Sequence, residues 1–153
     1  MPNYNKYFKR ILKETAEMST CARVQVGCVI VRDGRIISTG WNGVPAKKKH
    51  CNNHFKKKEW KGIESYLSEK HNKWSTQNEI HAETNAIGYA AQNGVSIKEA
   101  VLYTSISPCV FCAKLICASG IKKVFYVKEY DRDNGGIKFL KENNVNCEEL
   151  KYD

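Results

Sequence analysis

Hydrophobic residues recur with two different spacings along the chain, and each spacing predicts a different kind of element. Near the N-terminus, largely apolar side chains three and four residues apart predict a first helix of about four turns. These positions are Tyr4, Tyr7, Phe8, Ile11, Leu12 and Thr15. Residues 24–41 instead contain two arms rich in β-branched residues that meet at Asp33-Gly34. They predict a β-hairpin with a two-residue turn, followed by a loop in GWNGVP.

Predicted helices and strands alternate in the second half of the chain. We expect helices at about 79–93, 108–119 and 137–143, and strands at about 101–105, 123–127 and 145–150. Strand–helix–strand units of this kind predict an α/β fold with a partly parallel sheet, flanked by helices and linked by right-handed crossovers. We therefore expect residues 1–153 to form a single domain.

Residues 46–78, the basic segment, interrupt this pattern. They are polar, contain two lysine triplets and hold three of the four histidines. We interpret the basic segment as an insertion between core elements, with one short helix near 58–69. The alternative is a basic loop without a function, but Cys51, His54 and His71 within it argue against that interpretation.

Composition and charge narrow the class of protein. Hydrophobic residues make up 42% of the chain and charged residues 27%, as in ordinary globular proteins. The N-terminus lacks the apolar stretch of a signal peptide, and no run of about 18 apolar residues follows. We therefore expect a cytoplasmic protein without a membrane partner. The net charge of +9 predicts anionic partners, nucleotides or nucleic acid, although a solvated basic surface would have the same charge.

The chain has seven cysteines, an odd number that argues against a complete disulfide framework. In a reducing compartment, clustered cysteines favour metal binding or catalysis. Cys28, Cys117 and Cys147 lie in apolar surroundings, so we interpret them as small core residues.

The segment SPCVFC contains two cysteines at metal-ligand spacing. Ser107 and Pro108 are typical of a helix start, which would put Cys109 and Cys112 one turn apart. The positive end of the helix dipole favours their thiolates. A thioredoxin-like redox pair has the same geometry, so a zinc site requires further ligands elsewhere.

The segment NEIHAETNAI supplies candidates for them. His81 and Glu83 lie near a predicted helix start, with Asn78 as a candidate cap. His81 would complete three protein ligands and leave a fourth position for water, and Glu83 would then move protons. Alone, His-x-Glu is weak, because a glutamate at a helix start is often only a dipole partner. Its combination with Pro-Cys-x-x-Cys is a known signature of zinc nucleobase deaminases.

Together with CARVQVGCVIVRDGRIISTGWNGVP, YTSISPCVFCAKLICASGIKKVFYV and EYD, these segments resemble the deoxycytidylate (dCMP) deaminases of phage or viral type, in the cytidine deaminase-like superfamily. The resemblance implies a three-layer α/β/α sandwich around a mixed five-stranded sheet. It implies zinc-dependent hydrolysis of dCMP to dUMP and ammonia, which supplies dUMP for thymidylate synthesis. It also implies a homo-oligomer, commonly a hexamer.

The resemblance further implies a role for each residue that matches the family's motifs. His81, Cys109 and Cys112 would hold the catalytic zinc, and Glu83 would shuttle protons. Substrate contacts would come from Asn42 to the sugar, Ala82 to the pyrimidine, Ser107 at the pocket border, Tyr130 near the base and Arg23 at the phosphate. For Arg23, an exposed cation at a strand start is an equally good interpretation.

Some phage-type members carry a second, structural zinc, and its ligands match Cys21, Cys51, His71 and Glu79 here. Two thiolates, an imidazole and a carboxylate form a closed tetrahedral set. His50 or His54 could replace Glu79, and the alternative is that these polar residues are unrelated.

Two departures from the family concern its effectors, dCTP and dTTP. Lys47–Lys49 stand where the family often has small, glycine-rich residues, and Gln92 stands where regulated phage relatives have an arginine. Lysines can neutralise phosphates, but the close backbone approach that glycine permits is lost. Whether the chain is regulated, and whether dCTP is also a substrate, stays open.

Two other functions fit part of the pattern. A tRNA adenosine deaminase shares His-Ala-Glu, Pro-Cys-x-x-Cys and Gly-Trp-Asn, and the net charge suits RNA. However, that family joins Gly-Trp-Asn to His-Ala-Glu by a short loop, whereas about 38 residues lie between them here. We therefore expect no nucleic-acid partner. The second alternative is a zinc-stabilised binding module without turnover, which would have no need of Glu83.

Overall fold

The computed structural model describes residues 3–55, 64–130 and 133–151. Six helices and five strands occur within these ranges. In chain order they are α1 (Tyr4–Glu17), β1 (Gly27–Arg32), β2 (Arg35–Trp41), α2 (Cys51–His54), α3 (Glu64–Asn78), α4 (Ala82–Gln92), β3 (Val101–Ile106), α5 (Val110–Ala118), β4 (Lys123–Lys128), α6 (Gly135–Glu142) and β5 (Asn146–Glu149).

The five strands form one mixed sheet in the order β2-β1-β3-β4-β5. Strand β1 is antiparallel to β2 and β3, whereas β3, β4 and β5 run parallel. The predicted hairpin is confirmed, because Asp33 and Gly34 both have positive φ, 50° and 73°, as a type I′ turn requires. The parallel half of the sheet follows from the βαβ units of the second half of the chain.

Helices cover both faces of the sheet, which confirms the three-layer α/β/α sandwich. Alternate residues of β1 point to opposite faces. On one face, Val29 packs with Phe8 and Leu12 of α1. On the other face, Ile30 belongs to a larger core that α4, α5 and α6 share.

Two glycines allow helices to approach the sheet and the loop after β3 closely. A Cβ atom at Gly40 in β2 would lie 2.4 Å from the carbonyl oxygen of Ala82 and from the amide nitrogen of Ala86. A Cβ atom at Gly136 in α6 would lie 1.8 Å from the carbonyl oxygen of Pro108. These contacts fix the start of α4 and the segment that leads into α5.

Two predicted helix starts are wrong. Helix α4 begins at Ala82 with His81, in extended conformation, as its cap, and Asn78 is the last residue of α3 rather than a cap. Helix α5 begins at Val110, and its cap is Cys109 rather than Ser107. The Cys109 sulfur accepts a hydrogen bond from the backbone amide of Cys112, in the first turn of the helix. Of the short helix predicted near 58–69, residues 58–63 lie outside the described residues. The described helix α3 continues to Asn78, beyond the predicted end, and its residue His71 is buried.

The three cysteines that we interpreted as core residues pack as expected. Cys28 and Cys147 are buried, and Cys117 is partly buried against the same core. All seven cysteines are free thiols, so no disulfide contributes to stability.

Candidate active site and metal centres

The N-termini of α4 and α5 converge and bring three metal-ligating side chains together. His81 caps α4, Cys109 caps α5, and Cys112 follows in the first turn of α5. The Nδ1 atom of His81 lies 3.5 Å from the sulfur of Cys109 and 3.5 Å from that of Cys112. All three donor atoms lie within 4.8 Å of one another. One imidazole and two thiolates are a donor set that zinc prefers, and three protein ligands leave one position open.

The electrostatics of this cluster favour a thiolate. Hydrogen bonding with Cys112 and, to a smaller extent, with His81 lowers the pKa of Cys109 to about 4. The same pairing raises the pKa of Cys112, and hydrogen bonding with Cys109 raises the pKa of His81. A thiolate at the N-terminus of a helix is the form of cysteine that binds metals.

Glu83 is a buried carboxyl group beside the cluster. It lies in the first turn of α4 and is 4% exposed, and its Oε1 atom is 3.4 Å from the hydroxyl of Thr104. Desolvation raises the pKa of Glu83, whereas the charge of His81 lowers it. A raised pKa makes a carboxylate a stronger base, which suits a group that accepts a proton beside a solvent-accessible donor set.

Asn42 joins two loops beside the cluster, and its side chain holds one of them. Its Oδ1 atom accepts a hydrogen bond from the amide of Val26 at 2.8 Å, and its Nδ2 group donates to the carbonyl of Val24 at 2.9 Å. The next residue, Gly43, exchanges two backbone hydrogen bonds with Ile80, which directly precedes His81. Asn42 therefore lies near the start of α4, but part of its hydrogen-bonding capacity is used within the fold.

The other residues expected to contact substrate occupy different surroundings. Ala82 is fully buried at the start of α4, and the Ser107 hydroxyl accepts a hydrogen bond from the amide of Tyr130 at 2.7 Å. Burial raises the pKa of Tyr130, and the charge of Cys109 adds to this effect. Arg23 is exposed and donates to the side chain of Asn72 in α3 at 2.5 Å.

A second group of four metal-ligating side chains lies where the loop after α1 meets α2 and α3. The Nε2 atom of His71 is 3.5 Å from the Cys21 sulfur and 3.3 Å from the Cys51 sulfur. The Oε2 atom of Glu79 is 3.8 Å from the Cys21 sulfur, and all four donor atoms lie within 4.8 Å of one another. Cys21, Cys51 and His71 are buried and the side chain of Glu79 is 3% exposed, which suits a closed, structural zinc site.

The charges of this second group resemble those of the first. Hydrogen bonding with Cys51 lowers the pKa of Cys21 to about 5, and the same contact raises the pKa of Cys51. Of the alternative ligands, His50 contacts the hydroxyl of Thr20 at 3.2 Å. The ring of His54 packs on Trp74, with ring centroids 4.9 Å apart.

Comparison with known proteins identifies the family. Residues 2–128 match the cytidine and deoxycytidylate deaminase zinc-binding region. The chain belongs to this deaminase family. The family is named for a zinc-binding region, which agrees with the two groups of metal-ligating side chains described above.

Individual relatives agree with this assignment. The deoxycytidylate deaminase of Enterobacteria phage T2 is 40% identical over 152 residues, which cover 79% of this chain and 78% of the relative. The crystal structure of a cyanophage S-TIM5 dCMP deaminase in complex with dCMP and dUMP is 29% identical, with a TM-score of 0.78 over 97% of this chain and 98% of that chain. A structure from studies of tRNA:A34 deaminases is 19% identical with a TM-score of 0.53, a similarity of fold alone.

Sequence reasoning missed several polar residues that support the site of this deaminase. Thr104 contacts Glu83, and Ser19 accepts a hydrogen bond from the Cys21 amide while it donates to the carbonyl of Asn42. Ser75 donates to the Glu79 carboxylate at 2.6 Å. Thr104 alone had a signal in the sequence: it is a polar residue at an inward-facing position of a strand, two residues after buried Leu102.

Within the described residues, every helix is too short or too polar to cross a membrane.

Proposed function

We propose that this chain is a dCMP deaminase that hydrolyses dCMP to dUMP and ammonia. One observation carries the proposal: buried Glu83 contacts Cys112 and interacts electrostatically with His81 and Cys109, the other two members of the three-donor cluster, in a chain of the deoxycytidylate deaminase family. A solved relative is described in complex with dCMP and dUMP, a substrate and product pair of this chemistry.

His81, Cys109 and Cys112 would hold the catalytic zinc in this proposal. Their nitrogen and two sulfurs fit the metal, and the exposure of His81 leaves the open side accessible. Zinc bound there supplies a Lewis acid that lowers the pKa of water to about 7.

Glu83 carries the proton in the proposed reaction. Its carboxylate accepts the two protons of the attacking water in turn and passes one to ring nitrogen N3 and the other to the amino group, which leaves as ammonia while the water oxygen becomes the carbonyl oxygen of dUMP. Burial holds the pKa of Glu83 above its usual range, which helps the group to exist in both protonation states during turnover. The Glu83 carboxyl group also contacts the hydroxyl of Thr104, at 3.4 Å.

The substrate contacts belong to the same proposal. The buried start of α4 at Ala82 would offer its backbone to the pyrimidine, and Asn42, fixed by Val24 and Val26, would bind the sugar. Ser107 and Tyr130, joined by a hydrogen bond, would border the base. Arg23 would bind the phosphate, with its guanidinium held towards α3 by Asn72.

We also propose that Cys21, Cys51, His71 and Glu79 bind a second, structural zinc. The proximity of their donor atoms and their burial support it. A metal there would join the loop after α1 to α2 and α3, which explains how polar elements of the basic segment stay ordered without a large apolar core.

The proposal extends to assembly and regulation. A homo-oligomer, with a hexamer as the expected state, is proposed from the resemblance to the family, and Tyr89 and Phe111, which are 57% and 76% exposed, are candidates for its interface. Light scattering after size exclusion measures the mass directly. Assays with dCTP and dTTP test whether these nucleotides act as effectors in a chain that has Gln92 rather than an arginine.

A substrate panel tests the proposed function. Purified zinc-loaded protein is incubated with dCMP, dCTP, cytidine and tRNA, and ammonia release is measured for each. We expect dCMP to be deaminated with the highest kcat/KM. Turnover of tRNA adenosine without turnover of dCMP would contradict the proposal and favour the tRNA deaminase alternative. Zinc binding without any turnover would favour the binding module.

A further inference from the structure

The peptide group between Asn42 and Gly43 is held from both sides by hydrogen bonds. Its carbonyl oxygen accepts a hydrogen bond from the buried hydroxyl of Ser19 at 2.8 Å. Its N–H group, which belongs to Gly43, donates to the carbonyl of Ile80 at 3.1 Å. Because a peptide group is planar and rigid, a rotation that one partner imposes on it is transmitted to the other partner.

The carbonyl side of this peptide group leads to the second group of metal-ligating side chains. The Ser19 hydroxyl also accepts a hydrogen bond from the backbone amide of Cys21 at 3.2 Å, and the Cys21 sulfur lies 3.5 Å from the Nε2 atom of His71. The hydroxyl therefore uses its one proton towards Asn42 and a lone pair towards Cys21. A metal that fixes the Cys21 thiolate would also fix this hydroxyl.

The amide side leads to the three-donor cluster. Ile80 returns the hydrogen bond of Gly43, because its own N–H group donates to the Gly43 carbonyl at 2.8 Å. Glu79, a member of the second group, directly precedes Ile80, and His81, a member of the three-donor cluster, directly follows it. The pair of hydrogen bonds therefore holds the backbone between two candidate ligands, one from each group.

The side chain of Asn42 joins the peptide group to the loop that contains Cys21. It accepts from the amide of Val26 and donates to the carbonyl of Val24, so the peptide group and this loop move together. The apolar cluster around the loop contains four buried residues, and Cys21 and Cys51 are two of them. With so little other apolar packing in this cluster, metal bound by the two sulfurs would contribute much of the order of the loop.

We propose that the peptide group between Asn42 and Gly43 couples the two groups, so that zinc in the second group raises the affinity of the three-donor cluster for zinc, with Ser19 as the positioning residue of the link. The inference rests on the two zinc sites of the proposed function. Coupling between binding sites is reciprocal, so zinc in the three-donor cluster raises the affinity of the second group by the same factor.

The test is a thermodynamic cycle of zinc affinities, measured by competition with a chromogenic chelator. The unmodified chain gives one overall association constant for two ions. Cys51→Ala leaves only the three-donor cluster complete, and His81→Ala leaves only the second group complete, so each variant gives the constant of one site. The coupling factor is the overall constant divided by the product of these two constants.

We expect a coupling factor of at least about fivefold in the unmodified chain, and a factor within about twofold of unity when the cycle is repeated in Ser19→Ala. The matched control background is Ser38→Ala. Ser38 is 4% exposed, as Ser19 is, and its hydroxyl donates to a backbone carbonyl outside both groups, that of Ala86 at 2.6 Å. The control should keep the full coupling factor.

Three outcomes would contradict the inference, and they are distinguishable. One ion bound by the unmodified chain would remove the second site of the proposed function, and the coupling with it. Two ions with a factor within about twofold of unity would refute the coupling alone and leave the proposed function intact. An equal loss of the factor in Ser19→Ala and Ser38→Ala would assign the effect to stability rather than to the Ser19 link.

Amide hydrogen exchange tests the same link without a change to the second group, in case Cys51→Ala does not fold. His81 is exposed, so His81→Ala should fold, and the second group is then the only complete site for added zinc. We expect zinc to slow exchange of the Gly43 amide at least about fivefold in His81→Ala, and to leave it unchanged in His81→Ala/Ser19→Ala. Zinc binding to His81→Ala that leaves exchange of the Gly43 amide unchanged would overturn the proposal.

Discussion

Replacing Gly40 with alanine tests how closely the start of α4 must approach the sheet. The new Cβ atom would lie 2.4 Å from two backbone atoms, the Ala82 oxygen and the Ala86 nitrogen, whereas ordinary contacts are 3.4–4 Å. Neither backbone atom can rotate away, so α4 must move by about 1 Å. Overpacking of this kind costs about 3 kcal/mol, which lowers the Tm of a chain of this size by roughly 6–12 °C.

The same displacement should reduce activity, because Ala82 lies between His81 and Glu83. A misplacement of about 1 Å can reduce the rate about a hundredfold. The assays are thermal unfolding, zinc content and kcat/KM for dCMP. Gly88→Ala, in α4 itself, is the matched control. Its Cβ atom would meet nothing within 4 Å, so alanine should stabilise the chain by about 0.5–1 kcal/mol and leave activity unchanged. Full stability and activity of Gly40→Ala would refute the reasoning.

Two further predictions concern the second zinc and the phosphate. Cys51→Ala should lower the zinc content from two ions per chain to one and reduce the free energy of unfolding by more than about 3 kcal/mol, while the control Cys117→Ala keeps both ions. One ion in the unmodified chain would remove the second site. Arg23→Gln should raise KM for dCMP about tenfold and leave cytidine unaffected, because cytidine has no phosphate. If Asn72→Ala, which removes the contact of Arg23 with α3, has the same effect, Arg23 acts by holding the fold instead.

The sequence predicted the fold well where local physics decides it. The hairpin depends on two adjacent residues that tolerate positive φ, Asp33 and Gly34, and the parallel strands depend on the regular alternation of strands and helices. The three-layer order was implied by the resemblance to the family, and the structure gives its physical reason, because alternate strand residues are buried under helices on both faces of the sheet.

The helix starts at the site could not be predicted in the same way. Statistical cap preferences favour Asn78 and Ser107, but the actual caps are His81 and Cys109, which are also the candidate metal ligands. Those residues are selected by chemistry and not by capping strength. The Ser107 hydroxyl instead accepts a hydrogen bond from the backbone amide of Tyr130, a long-range contact that no local sequence pattern predicts.

The second cluster shows the limit of reasoning from local pattern. Cys21 and Glu79 are separated by 58 positions, and His71 by 50 positions from Cys21, so no spacing rule joins them. Only the resemblance to a family suggested the set. The structure brings the four side chains together, and their role as zinc ligands stays a prediction until metal content is measured.

The turnover of Glu83→Gln tests the central claim most directly. Glutamine keeps the shape of the side chain but cannot exchange a proton, so the account predicts unchanged zinc content and folding, with kcat for dCMP reduced by at least about a hundredfold. A variant that retains its zinc and deaminates dCMP within about threefold of the unmodified chain would contradict the proposed role of Glu83.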